Sequence, residues 1–274
     1  MNYRTGKLKV EDVPAPALQQ RGVLVQNHYS LVSAGTERAA FIFARQSLVG
    51  KARSRPDLMR QVLNKARTDG LLTTYRAATE RLNTSTALGY SSSGEVVEVA
   101  PDVAEVSPGD LVACAGGGYA SHAEVVFVPR NLVARLPEGV STRQGAFGTL
   151  GAIALQGIHR AELTPGERVA VIGLGLLGQL TVQILNAYGM PVLGLDVDAD
   201  RVKAAARWGL DANAVIGRDD AEVIASAFSN GAGVDAVIIT AATDNSEPIE
   251  MAGRLLRERG RVSVVGDVGM DVPR

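Results

Sequence analysis

Gly166-Glu-Arg-Val-Ala-Val-Ile-Gly-Leu-Gly-Leu-Leu-Gly178, followed by Val192-Leu-Gly-Leu-Asp196, decides the fold of this chain. The first stretch reads as a strand, a glycine turn and a helix, and the second as another strand that ends in an acid. Val169 to Ile172 is a short apolar run rich in β-branched residues, the composition of a parallel strand buried on both faces. In the turn, Gly173 permits a tight bend, Gly175 lacks the Cβ that would keep a pyrophosphate off the backbone, and Gly178 lets the helix approach the strand. Leu174, Leu176 and Leu177 complete the loop. The helix start offers unpaired N–H groups and a positive dipole end to phosphates. Asp196 stands 18 residues after Gly178, where an acid can accept the ribose hydroxyls of a dinucleotide. Its carboxylate favours NAD over NADP, because a 2′-phosphate at about 4 Å and an effective dielectric of about 20 would be repelled by at most roughly 4 kcal/mol. Arg201, five residues on, would offset part of that repulsion.

Outward from this unit, strands and helices alternate toward the C-terminus. Strands are expected at 169–172, 192–196, 214–216, 234–240 and 261–265, with the helix after Asp196 starting near Asp198 and ending at Gly209. Such alternation predicts an α/β fold with a doubly wound parallel sheet. Thr240 and Ala241 close the fourth strand, at the crevice where a dinucleotide lies, and are expected to line the cofactor site.

Toward the N-terminus the pattern changes to short strands, at about 23–33, 94–100, 123–129 and 132–136, with a turn followed by a strand at 107–112, all punctuated by Gly and Pro. That punctuation predicts a compact barrel. Residues 141–161, rich in Ala and Gly, read as helical. The domains are therefore drawn at 1–140 and 141–274. Within the first, residues 38–82 show helical stripes at Phe41, Ala44 and Leu48, then at Leu58, Val62 and Ala66, then at Leu71, Tyr75, Ala78 and Leu82. This insertion holds ten Arg or Lys against three acids, a net +7, so the rest of a chain of net charge −1 carries −8. It reads as a solvated helical face, or as a docking surface for an anionic substrate or partner domain.

Composition sets bounds. A net charge of −1 gives no field to recruit nucleic acid or a membrane, and 4% aromatic residues argue against a base-stacking platform. One cysteine, Cys114, excludes an internal disulfide and a multi-cysteine zinc site. No apolar run reaches about 18 residues, and the polar start lacks a signal-peptide core, so a cytoplasmic location is expected.

The whole pattern resembles the medium-chain dehydrogenase/reductase family, of the alcohol dehydrogenase type. The resemblance rests on Ala34-Gly-Thr-Glu37, Leu88-Gly-Tyr-Ser-Ser-Ser-Gly-Glu-Val-Val97, Pro108-Gly-Asp-Leu-Val, Gly118-Tyr-Ala-Ser-His-Ala-Glu124 and Pro165-Gly-Glu-Arg-Val-Ala-Val-Ile-Gly. It implies a GroES-like β-barrel domain with a helical insertion, followed by a Rossmann sheet. Ser33 to Ala40 with Arg53 to Leu63 looks like the N-terminal half of bacterial bi-domain oxidoreductases. That likeness implies a second oxidoreductase domain, fused or separate, as partner. The sequence stops just after the fifth expected strand, so a C-terminally truncated sheet is expected.

The departures shape the expected chemistry. Zinc-dependent members ligate the catalytic metal through a Cys, a His and a Cys or Glu. The matching positions here are Ala34, Tyr90 and Thr149, so no metal site is expected. Thr36 matches the family's relay hydroxyl, and Tyr90 could donate to a carbonyl oxygen. The ordinary alternatives are a helix-capping threonine at a helix that begins near Glu37, and a barrel-wall aromatic. Glu37 is expected to hold a backbone N–H or an Arg. His28, His122 and His159 have no partner at metal spacing and are expected to be structural or at the surface, and Cys114 to follow a strand as a small buried residue. The resemblance implies a zinc-independent, NAD(H)-dependent oxidoreductase acting on a small alcohol, carbonyl or sugar derivative. The alternative is a cofactor-binding module, without chemistry of its own, that scaffolds a partner oxidoreductase domain.

Overall fold

A computed structural model describes residues 1–2, 5–46 and 85–272. Most of the basic segment 38–82, with its stripes beyond Ala44, lies outside the described residues. The chain divides into two units, Met1–Thr149 and Leu150–Arg274.

The first unit is built on five antiparallel strands: β1 (Gly22–Ser30), β2 (Ser91–Val99), β3 (Leu111–Ala115), β4 (Val125–Pro129) and β5 (Val133–Arg135). Their order is β4-β1-β2-β3-β5, so β4 and β5, adjacent in sequence, occupy opposite edges. A flat five-stranded sheet would separate its edges by about 19 Å. Only one 3₁₀ turn, Arg130–Leu132, joins the two strands, and a linker of that length reaches about 14 Å at most. The sheet must therefore curl, and the β1–β2 register shifts after Leu24 and Asn27 bend it further. The result is a half-barrel. The closed barrel suggested by the strand spacing is not among the described pairings, because the three-residue β5 spends its ladder on β3. Val23, Val25, Val96, Val112, Val126 and Val128 fill its core.

Two of the buried serines of β2 find carbonyl partners, while Ser92 Oγ has none among the described residues. Ser91 Oγ donates to the Ala146 carbonyl (2.7 Å), and Ser93 Oγ to the Val112 carbonyl (2.6 Å). Cys114 lies inside β3 rather than after it, and burial pushes its thiol up to about 12.

Helix α1 spans Ala34–Arg45 and starts three residues before the expected Glu37. Gly35 makes this stretch read as a turn. The Glu37 carboxylate nevertheless reaches back to the Ser33 N–H (3.1 Å) while the Glu37 N–H donates to the Ser33 carbonyl (2.9 Å), closing an extra first turn. The helical stretch at 141–161 is two helices, α2 (Thr142–Gly145) and α3 (Gly148–Arg160). A capping box between Ser141 and Gln144 starts α2. Residues 141–149, drawn with the second domain from sequence, pack with the first unit, where Ser91 and Ala146 meet.

The second unit alternates as expected: β6 (Val169–Ile172), α4 (Leu176–Ala187), β7 (Val192–Asp196), α5 (Ala199–Ala206), β8 (Ala212–Val215), α6 (Ala221–Phe228), β9 (Val234–Ile239), β10 (Ala242–Thr243), α7 (Glu247–Leu255), β11 (Leu256–Val264) and β12 (Asp267–Val268). The main sheet is parallel, in the order β11-β9-β6-β7-β8. Its strands alternate between two cores. Val169, Val171, Val192, Ala236 and Ile238 pack with Ile158 of α3, Val182 and Leu185 of α4, and Val202 and Ala205 of α5. Ala170, Ile172, Leu193, Leu195, Val237 and Ile239 pack with Ala225 of α6 and with Met251 and Leu255 of α7. Both faces are covered, as a doubly wound sheet requires.

Three details differ from the sequence reading. Helix α5 ends at Ala206, not Gly209, and Asp198 caps its start by accepting the Asp200 and Arg201 N–H groups. Strand β11 begins at Leu256, five residues early, because an irregularity between Leu256 and Arg261, with Arg259 at φ 60°, carries the charged run that reads as loop. β10 and β12 form a separate two-stranded parallel ladder that the sequence did not announce. Among the described residues, no helix is long and apolar enough to cross a membrane.

Candidate functional site

The glycine loop sits at the C-terminal ends of β6, β7 and β9, next to the point where strand order reverses from β6 to β9. Gly173 has φ 95°, a left-handed conformation that disfavours side chains, and a Cβ there would lie 2.6 Å from the Ala241 nitrogen. A Cβ on Gly178 would lie 1.9 Å from the Gly173 carbonyl oxygen, so α4 can approach the loop only as glycine. A Cβ on Gly175 would meet nothing within 4 Å: this is open space beside the backbone. Helix α4 starts after Gly175 with no side-chain cap and no acid in its first turn, so neither competes with an anion for its N–H groups.

Asp196, at the end of β7, is 3% exposed. One carboxylate oxygen accepts the Leu174 N–H (2.6 Å) and the other the Asp198 N–H (2.9 Å). The Arg201 guanidinium lies 3.8 Å away. The Thr240 N–H donates to the Ile172 carbonyl (2.9 Å), and its hydroxyl donates to the Gly173 carbonyl, which holds the loop from the β9 side. Gly173, Leu174, Gly175, Leu176, Leu177, Gly178, Asp196, Thr240 and Ala241 thus converge on one end of the sheet.

In the first unit, Thr36 lies exposed in the first turn of α1, its hydroxyl accepting from Ser33 Oγ (3.4 Å). Tyr90 is half-buried just before β2. Thr149, the third position matching a zinc ligand, directs its hydroxyl at the carbonyls of Tyr90 (3.4 Å) and Cys114 (3.3 Å). Among the described residues, no group of three or more His, Cys, Asp or Glu side chains could hold a metal ion.

The sequence missed a cluster beside these residues. His122 Nε2 lies 3.2 Å from both Glu37 carboxylate oxygens, and Nδ1 lies 2.9 Å from Ser30 Oγ. Glu37 does hold the expected backbone N–H, but its side-chain partner is His122 rather than an Arg. The pairs are separated by 85 and 92 residues, so no local spacing could have disclosed them.

Known proteins agree with this architecture. The family model described as zinc-binding dehydrogenase matches residues 177–273. A probable zinc-binding alcohol dehydrogenase of Mycobacterium tuberculosis is 32% identical over 212 residues, 66% of this chain and 54% of that protein. The alcohol dehydrogenase of Thermus sp. ATN1 superposes with a TM-score of 0.75 at 21% identity, over 98% of this chain and 76% of that one. The chain belongs to the medium-chain dehydrogenase/reductase family. Its half-barrel is the GroES-like part of that family and its parallel sheet the Rossmann part. Escherichia coli quinone oxidoreductase, solved with NADPH, has a TM-score of 0.69 at 20% identity, over 96% of this chain and 71% of that one. The chain spans about half the length of the curated medium-chain relative it matches. The relatives and neighbours named here are dehydrogenases and oxidoreductases by description.

Proposed function

We propose that this medium-chain family member is a zinc-independent, NAD(H)-dependent oxidoreductase that moves a hydride to or from a small alcohol, carbonyl or sugar derivative. The observation that carries the cofactor reading is Asp196. It is a buried carboxylate, fixed by the Leu174 and Asp198 N–H groups, at the strand end where ribose hydroxyls are read. Its negative charge repels a 2′-phosphate, and Arg201 at 3.8 Å offsets part of that charge. The open space at Gly175 and the uncapped start of α4 fit a pyrophosphate. When bound, the nicotinamide supplies or accepts the hydride.

The donor set supports chemistry without zinc. Ala34 offers no ligand atom, Thr149 spends its hydroxyl on two carbonyls, and burial keeps the nearby Cys114 thiol protonated, whereas zinc takes the thiolate. Polarisation of the substrate oxygen then falls to hydroxyl donors, and Thr36 and Tyr90 are the candidates in the first unit.

Titration of the purified chain with NADH and NADPH, followed by nicotinamide fluorescence, tests this. NADH is expected to bind at least about tenfold tighter, a difference of about 1.4 kcal/mol. Equal affinities would overturn the role of Asp196, and tight NADH binding without turnover of any alcohol or carbonyl would favour the scaffolding module. One bound zinc per chain in a metal assay would overturn the zinc-free reading.

A further inference from the structure

We propose that Ser30, His122 and Glu37 form a proton-exchange array that serves the substrate oxygen, with Ser30 as its outer hydroxyl; this rests on the oxidoreductase reading above. An ionised carboxylate can only accept hydrogen bonds. Glu37, with both oxygens 3.2 Å from Nε2, therefore places the proton of a neutral His122 ring on Nε2. The Nδ1 lone pair then faces Ser30 Oγ at 2.9 Å, so the serine O–H points at a base. Ser30, at the end of β1, is exposed and open to exchange, while the Glu37 and His122 side chains are only 14% and 25% exposed.

The backbone that carries the imidazole is also fixed. The Asn27 side-chain amide donates to the carbonyls on either side of it, those of Ser121 (3.3 Å) and Ala123 (2.8 Å). The His122 N–H donates to the Leu88 carbonyl (2.8 Å). Gly89, at φ 96°, leaves room for the ring: a Cβ there would come within 3.0 Å of Cε1 and Nδ1. The groups facing the ring are thus Glu37 from α1, Ser30 from β1 and uncharged backbone from residues 88–89. Among the described residues, Glu37 is the one charged group within ion-pair distance. A histidine needed only to fill a surface turn would not require this many constraints.

In alcohol oxidation the substrate O–H bond breaks and its proton passes to Ser30 Oγ, while the serine's own proton moves to His122 Nδ1. The electron pair of the O–H bond becomes part of the new carbonyl, and an oxidised nicotinamide, when bound, would take the C–H pair as hydride. Carbonyl reduction reverses each transfer. Glu37 is a positioning residue in this scheme: it fixes the tautomer and stabilises the imidazolium.

The test uses the whole chain with NADH and two carbonyl probes, DL-glyceraldehyde and propanal. Ser30→Ala and His122→Asn are expected to lower kcat about 100-fold, within the range for general acid–base groups. NADH affinity should stay within about twofold of wild type, the pH dependence of kcat should flatten, and Ser30→Thr should restore most of the rate. An unchanged rate in Ser30→Ala, or a His122→Asn loss equal at every pH, overturns the array. Failure of wild type to bind NADH overturns the oxidoreductase reading instead. The array then still stands or falls on ¹⁵N NMR of His122: a protonated Nε2 in wild type that becomes a tautomer mixture in Glu37→Gln supports it. A tautomer indifferent to Glu37 overturns it.

Discussion

The two units build the polar groups of their candidate sites by opposite means. In the parallel unit the groups are backbone: N–H donors at the start of α4, exposed by glycines and held by Thr240 and Asp196. In the antiparallel unit they are side chains, and the backbone serves to seat them, as Asn27, Leu88 and Gly89 seat His122. A backbone site tolerates almost no substitution at its glycines, because an added Cβ collides with main chain that cannot rotate away. A side-chain site fails more gradually, since each constraint on the ring is one of several.

The largest effect that would break this contrast lies at Gly178. Gly178→Ala places a Cβ 1.9 Å from the Gly173 carbonyl oxygen and is expected to cost about 3 kcal/mol or more. Urea unfolding reads this, and an unchanged midpoint would mean that α4 need not approach the loop. Gly175→Ala sharpens the contrast, because its Cβ meets no protein atom. Unfolding should be unaltered while NADH binding weakens about 10- to 100-fold, or about 1.4–2.7 kcal/mol. Binding at wild-type strength would remove the pyrophosphate from this loop.

In the other unit, Gly89→Ala forces a side chain onto φ 96° and against the His122 nitrogen at 2.8 Å. About 1–2 kcal/mol of destabilisation is expected, with a changed His122 NMR signal; a stability loss without that change would show that Gly89 does not seat the ring.

The smallest effect concerns the base of the parallel sheet. Burial pushes the Asp235 carboxyl up, but the Arg257 guanidinium at 2.6 Å and the Arg168 N–H at 2.7 Å outweigh it and hold the group below 3.8. A depressed carboxyl contributes stability above its unfolded value, and that contribution is lost as pH falls through the folded value. Asp235→Asn should cost about 1 kcal/mol near pH 7 and progressively less below about pH 4, measured by urea midpoints. A cost that does not shrink in acid would assign the loss to packing instead of charge.

The parallel unit was legible because its signals are local. Val169–Ile172 and Val192–Asp196 are each a contiguous apolar run, and the glycine spacing lies within one turn of chain. Errors arose where a tertiary contact overrode local preference: Glu37 recruited Ala34 and Gly35 into α1, and the ladder to β9 drew Leu256 into β11. The half-barrel's strands were visible, yet its openness was not, since that depends on which edges β4 and β5 occupy. In the candidate site, the glycines, Asp196 and Thr240 could be placed from sequence. His122 could not, because neither of its partners is near it in the chain.

Cys114 is the chain's one cysteine, and it is sealed in β3 with its thiol pushed up to about 12. Maleimides and haloacetamides react with thiolate at neutral pH, so the folded protein should be silent toward them. Nature has in effect supplied a blank for site-specific labelling. A cysteine placed at an exposed position such as Val197 or Val223 would be the single reactive handle for a fluorophore or spin label, with no need to remove the native one first.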